Sequence, residues 1–492
     1  MISALKKTIS VLITLFFLAA AAAAQSRGIE HGRRYDRLVI RNVTLIDGKG
    51  TPARGPLDVV VENNKIAAVG AARDSAAYAK EDHVLDGTGM SLLPGLIDAH
   101  VHLQDERAGV PQPFEYSYKL WLACGITTVR DVGSDAQKTL VERERSQDGT
   151  LIAPRLYIYI VASGQTPDEI RRSVQSIKAR GGDGVKIFGL DRDLMQACLD
   201  EAHKLGLRVA HHSAVEETDA WDDAALGATS IEHWYGIPDA ALDGSQNFPP
   251  SYNFNNESDR FRYAGRLFRE ADPEKLGKVL DAMIAKGVAW VPTFVIYEAN
   301  RDLLRAQNQP WFKDFLHPAL ERYFRPNPAN HGSFHFNWTT TDEIFWKENY
   351  RLWMKAVREF ARRGGLVGAG DDAGFIYEMY GFSLIRELEL LQEAGFHPID
   401  VLQCATGNNA RILGLEDKLG RVRPGWLADL ILVDENPLAN LKFLYPTGVE
   451  DLKDGRIVRR GGVRWTIKDG VVFDAPRLLG EVKAMVSAAR GK

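Results

Sequence analysis

The chain has 492 residues, 45% hydrophobic and 26% charged, a length that suggests two or three domains at roughly 100–200 residues each. Its 61 Lys and Arg against 65 Asp and Glu leave a formal net charge of −4, which excludes the basic footprint of a nucleic-acid binder and offers no cluster suited to a membrane surface. Three widely spaced cysteines, Cys124, Cys198 and Cys404, are too few for a disulfide framework and lack a CxxC zinc spacing, so each reads as a small buried apolar residue.

At the start of the chain, Lys6 and Lys7 precede the apolar run ISVLITLFFLAAAAAA, and Ala22-Ala23-Ala24 before Gln25 fits a small-residue cleavage site. Residues 1–24 therefore read as a signal peptide, with a periplasmic or secreted mature protein and no membrane association after cleavage. The run is short for a spanning helix and no second one follows; an uncleaved anchor is the alternative.

Next, RLVIRNVTLIDGKG and LDVVVENNKIAAVG alternate apolar and polar residues around Asp-Gly and Asn-Asn turns, as short strands do. ADLILVDENP and GRIVRRGGVRWTIKDGVVF repeat that signature near the other end. Residues 36–91 and 416–480 are thus expected to pair into one small β-sandwich. Between them, residues 92–415 hold eight short apolar runs: GLIDAHVHL, TTVRDVG, RLYIYIV, GVKIFG, RVAHH, SIEHWY, AWVPTFV and LVGAGDD. Amphipathic stretches such as DLMQACLDEAHKLG and DPEKLGKVLDAMIAKG separate several of them and end at Gly, a common helix stop. The expected fold class is α/β, a (β/α)8 TIM barrel with insertions plus the small β domain. The insertions, at about 241–270 and 298–350, follow the sixth and seventh strands and are rich in aromatic, Asn and Pro residues, including Trp311, Trp338 and Trp346. They should rise over the C-terminal mouth of the barrel, or else serve as surface decoration or a dimer contact.

Polar residues gather at the ends of these strands. The first offers His100 and His102, which face the same way because alternate strand residues share a face. The fourth offers Lys186, the fifth His211 and His212, the sixth His233, and the eighth Asp371 and Asp372. A single strand-end His is more often hydrogen-bonded structure, and a single Lys can snorkel out of a core. Together they suit a divalent cation, since imidazole and carboxylate are its usual ligands. Lys186 is the odd member, because an ammonium repels a cation and is costly to bury unpaired. Reaction with carbon dioxide makes it a carbamate, a carboxylate-like group able to bridge two ions.

With these residues in view, the chain resembles the amidohydrolase superfamily over nearly all of its mature length. SLLPGLIDAHVHL, GGDGVKIFG, GATSIEHWYG and LVGAGDDAGF resemble its first-, fourth-, sixth- and eighth-strand motifs, and the segment through CATGNNARILGLEDKLGRVRPGWLADLILVDENP resembles its closing part. The resemblance implies metal ligands His100, His102, carboxylated Lys186, His233 and Asp372, with Asp371 in the place of the family's Thr. It implies His212 as the strand-five ligand, six residues after Gly206, with His211 the competitor. Mononuclear deaminases of the superfamily carry a Glu three residues after that His; here Val215 stands there, so the binuclear branch is indicated. The resembled subgroup includes imidazolonepropionase-like proteins and Xaa-Pro and Xaa-Arg dipeptidases. RLYIYIVASGQTPDE lacks the Gly-Gly-His that some of those dipeptidases use near the substrate carboxylate, which leaves the substrate open.

The implied activity is hydrolysis of a C–N amide bond in a dipeptide or an N-acyl or N-aryl amino acid. Two divalent ions, Zn2+ the expected metal, share a hydroxide as nucleophile, and Asp372 moves the proton. Hydrolysis of a cyclic amide or lactone at the same site is the alternative enzyme reading, and an exported metal-binding protein the non-enzyme one. Tyr159, Trp234, Tyr235 and Tyr297 are candidates for the substrate pocket, each equally able to sit in the core. The expected partners are a small-molecule or peptide substrate and further copies of the chain in a homo-oligomer.

Overall fold

The computed structural model describes residues 28–73, 78, 82–213, 218–244, 248–253 and 255–491. The expected signal peptide and Val215 lie outside the described residues. Among these residues no helix is long and apolar enough to cross a membrane.

Strands from both ends of the chain share one nine-stranded sheet. Arg37–Leu45, Arg54–Glu62, Lys65–Ala71 and Met90–Pro94 come from the first part, and Leu430–Asp434, Gly462–Lys468 and Val471–Asp474 from the last. The join runs antiparallel between Met90–Pro94 and Leu430–Asp434, with Leu92 opposite Leu432. Leu38, Ile40, Val59, Val61, Leu92, Leu430 and Leu432 form one apolar cluster there, each contributing about 1.5–3 kcal/mol on burial. Lys468 ties this domain to the barrel: its Nζ donates at 2.7 Å to the Ser146 carbonyl, at the end of helix Ala136–Gln147.

The barrel strands Leu96–Val101, Ile126–Val132, Arg155–Val161, Gly184–Phe188, Arg208–His212, Ser230–Glu232 and Ala289–Val291 pair in sequence order, all parallel. Helices between them are capped as their sequences suggest. Thr166 accepts from the Glu169 N–H ahead of Pro167–Ala179, which buries Ile170, Val174 and Ile177 along one face. Pro273–Lys286 starts at an Asp272 cap and stops at Gly287, whose φ of 72° is the left-handed turn glycine adopts readily.

The eighth staves of the barrel come from residues 366–372, which make only an isolated bridge to the seventh strand. Trp290 N donates to the Leu366 carbonyl on one side, and Ala99 N and Asp372 N donate to Ala369 and His100 on the other. The Asn409 side chain completes the closure, donating to the Ile97 and Ala369 carbonyls and accepting from Ala369 N. Gly370 allows the close approach, because a Cβ there would stand 2.6 Å from the His100 Cβ.

Both insertions fold against each other over the mouth. Helix Glu257–Ala264 of the first is held by Ser258, which donates to the Phe334 carbonyl of the second, and by Phe261 stacked on Phe334 at 3.9 Å. The last part of the second, from Thr340, is the long helix Thr340–Arg362, whose Trp346 donates to the Phe261 carbonyl.

Candidate metal centre

His100 lies one residue before the end of the first barrel strand and is fully buried. Its Nδ1 lies 2.6 Å from Glu232 Oε2. A carboxylate only accepts, so Nδ1 carries the proton and Nε2 offers its lone pair to the barrel interior. Glu232 is fixed in turn by Arg130, whose Nη2 donates to Oε1 at 2.7 Å while Nε donates to the Ala99 carbonyl. His233 repeats the device: Nδ1 lies 2.6 Å from the Thr293 hydroxyl, leaving Nε2 free to turn inward. Glu232 and His233 both face the interior because His233 takes a left-handed φ of 64°, which breaks the strand's alternation.

Asp372 stands at the centre of this group. Its Oδ1 is 3.2 Å from His102 Nε2 and 3.8 Å from His100 Nε2, and its Oδ2 is 3.8 Å from His233 Nε2. Separations of 3.8 Å are too long for hydrogen bonds but suit neighbouring ligands that each sit about 2.0–2.2 Å from one cation. Ligand atoms of His100, His102 and Asp372 all lie within 4.8 Å of one another. Asp372 and Thr293 also adopt left-handed φ values of 53° and 48°, so with His233 three non-glycine residues carry strain of about 1–3 kcal/mol each around one point.

Lys186 projects into the same interior and is fully buried, and its Nζ has no hydrogen-bond partner among the described residues. Burial pushes its pKa down to about 8, against the pull of the Glu232 and Asp372 carboxylates. Burial likewise holds His100, His212 and His233 well below the ordinary imidazole value, so each is in its neutral, ligating form. An orphaned buried amine beside neutral imidazoles and a carboxylate is a donor set that fits divalent cations once the amine becomes a carbamate.

The strand-five pair divides by register. Lys186 is paired with Ala210, Ile187 with His211 and Phe188 with His212, and residues paired across parallel strands share a face. His212 therefore faces inward with Lys186; its ring lies 4.6 Å from that of His233 and stacks on Tyr235 at 4.6 Å. His211 faces the outer helix Ala220–Leu226, with Nδ1 2.7 Å from Asp223 Oδ1. Asp371 also turns away: it opposes Asp98, and burial pushes Asp98 up to about 8 and Asp371 well above the carboxylate range. Cys124, Cys198 and Cys404 are all buried and free.

Above this group lies a cavity of about 360 Å³ with His212 and Asp372 at its base. Tyr235, Tyr297 and Phe375 form its inner wall. The first insertion adds Tyr252, Arg260, Phe261 and Tyr263, and the second adds His331. Of the four expected pocket residues, Tyr235 and Tyr297 are here, with hydroxyls 2.8 Å apart. Tyr159 and Trp234 are core residues instead. The Tyr159 ring fills the barrel over Gly184, where a Cβ would come within 2.5 Å of it, and Trp234 is fully buried against Trp346.

Glu232, Arg130, Thr293 and Asn409 all shape the site and escaped the sequence reading. A signal existed for Arg130: a charged residue inside TTVRDVG is as anomalous as Lys186 inside GVKIFG.

A Xaa-Pro dipeptidase crystallised with methionine in its active site superposes with a TM-score of 0.62 at 21% identity, over 89% of this chain and 100% of that one. Dihydroorotase of Aquifex aeolicus (strain VF5) is 31% identical over 457 residues, 88% of this chain and 98% of the relative. Dihydroorotase of Solibacter usitatus (strain Ellin6076) is 28% identical over 219 residues, and there the match spans 49% of the relative's length. The profile of the amidohydrolase family matches residues 91–458, from the last strand of the β domain's first part through all the barrel residues just described. The chain therefore belongs to the amidohydrolase family, hydrolases that act on carbon–nitrogen bonds.

Proposed function

We propose that the protein is an exported, binuclear metal amidohydrolase that cleaves the amide bond of a dipeptide or an N-acyl or N-aryl amino acid. The observation that carries this reading is the orphaned Lys186 amine, buried beside the His100, His102 and Asp372 group at the base of an aromatic cavity. In its neutral form Lys186 adds to carbon dioxide; the N–C bond forms, one N–H proton leaves, and the carbamate oxygens become donors. His100, His102 and Asp372 would hold one ion and His212 and His233 the other, with carboxylated Lys186 between them. Bound divalent ions, zinc the expected metal, supply Lewis acidity and an acidified water.

Asp372 takes the proton of the attacking water and returns it to the departing amine, which makes it both base and acid. Glu232 and Thr293 keep the Nε2 atoms of His100 and His233 pointed inward. Tyr235 and Tyr297, with the insertion residues, hold the apolar part of the substrate and exclude water. Export rests on Lys6, Lys7 and the apolar run before Gln25, and fractionation of cells making the full chain tests it.

Cyclic-amide hydrolysis is a second reading, favoured by the dihydroorotase match over 457 residues. Turnover by zinc-loaded protein across dipeptides, N-acyl amino acids, cyclic imides and lactones tests both. Release of free amines from the linear substrates supports the first reading. Ring opening alone replaces it with the second, and no hydrolysis of any member rejects both.

A further inference from the structure

Among the described residues, one buried guanidinium has no carboxylate counterpart. Arg107, on a short hairpin after the first barrel strand, is 6% exposed, and its side chain makes no hydrogen bond or ion pair with a described residue. Its Nε and Nη2 are sealed from solvent and unpartnered. Among the described residues the other two buried arginines each hold a carboxylate, Arg130 that of Glu232 and Arg386 that of Glu298. Around Arg107 there are rings instead: its Cζ is 4.1 Å from the Phe375 centroid and 5.1 Å from that of Tyr323. Gly374 lets the guanidinium pack close against the chain, since a Cβ there would stand 2.7 Å from Nη2.

A guanidinium cannot shed its proton, and an unpaired buried charge is costly, so this arrangement is suited to an anion that arrives from outside. Its position says which one. Phe375 lies three residues after Asp372 and lines the cavity, and its ring meets His102 edge-on at 5.6 Å. The guanidinium is thus one aromatic ring away from the metal group.

We propose that Arg107 anchors a carboxylate of the substrate through its planar pair of donors, with the Phe375 side chain swinging aside to join Arg107 to the cavity. Arg107 is then a specificity-determining residue that restricts the enzyme to acidic amides, those with a free carboxylate near the scissile bond. This inference rests on the amide-hydrolase reading above.

The test uses the full-length, metal-loaded protein and two probes that differ in charge: N-benzenesulfonyl-L-phenylalanine, whose sulfonamide resists hydrolysis, and its C-terminal carboxamide. Calorimetry should show the acid binding at least about ten-fold tighter than the carboxamide. Arg107→Met should abolish that preference while leaving carboxamide affinity unchanged, and Arg107→Lys should restore part of it. A preference that persists in Arg107→Met, its absence in the wild type, or equal loss of both probes would overturn the proposal. Failure of the hydrolase reading has a separate signature: wild-type protein that turns over no amide, whatever its binding preference.

Discussion

His100 and Glu232 meet at 2.6 Å across the barrel, 132 residues apart in sequence, and Arg130 closes the other side of the same carboxylate. This one contact sets the tautomer of His100 and aims its Nε2 at Asp372. Glu232→Gln keeps the shape but removes the charge, and should weaken metal affinity by about 10–100-fold. Arg130→Met strands the Glu232 charge in the core and should cost about 3–5 kcal/mol of stability. Metal titration and denaturant unfolding check the two values, and equal effects of both variants on both readouts would contradict the division of roles.

The two strand-five histidines should separate cleanly. His212→Asn removes an inward group and should lower bound metal from two ions to one per chain. His211→Asn breaks the buried pair with Asp223 and should cost about 1–3 kcal/mol in unfolding without changing the metal count. Elemental analysis of both variants, beside thermal unfolding, distinguishes them.

Lys468 gives a pH signature far from the metal group. Burial pushes its pKa down to about 8, so between pH 8 and 10.5 the unfolded chain holds a proton that the folded one has released. Its cost is therefore full below pH 8 and is relieved as pH rises toward 10.5. The stability of the wild type relative to Lys468→Met should rise over that window by about 3 kcal/mol. A flat difference between the two unfolding curves would contradict it.

The architecture was legible because its signals are local. Alternation marks the terminal strands, and glycine stops and Asp or Thr caps mark the helices. His100, His102, His212, His233 and Asp372 were legible because polar residues ending apolar runs are expensive without a purpose. The connecting residues were not. Glu232 beside His233 looks like ordinary strand-end polarity, and nothing near Thr293 or Asn409 reveals a partner 60 residues away for the first and 312 for the second. Those contacts depend on barrel closure and on left-handed turns at His233 and Thr293, which sequence period does not register. Tyr159 and Trp234 took the core alternative for a related reason: aromatic residues at strand ends also fill the barrel.

The central claim is that Lys186 completes a two-ion centre worked by Asp372. Its most direct measurement is metal content with amide hydrolysis on the same samples of wild type, Lys186→Met and Asp372→Asn, prepared with bicarbonate present. Two ions per wild-type chain should fall to one in Lys186→Met. Hydrolysis should fall by about 10²–10⁴-fold in Asp372→Asn, the range expected when a proton-transfer group is lost. One ion per wild-type chain, or full hydrolysis by either variant, would contradict the account.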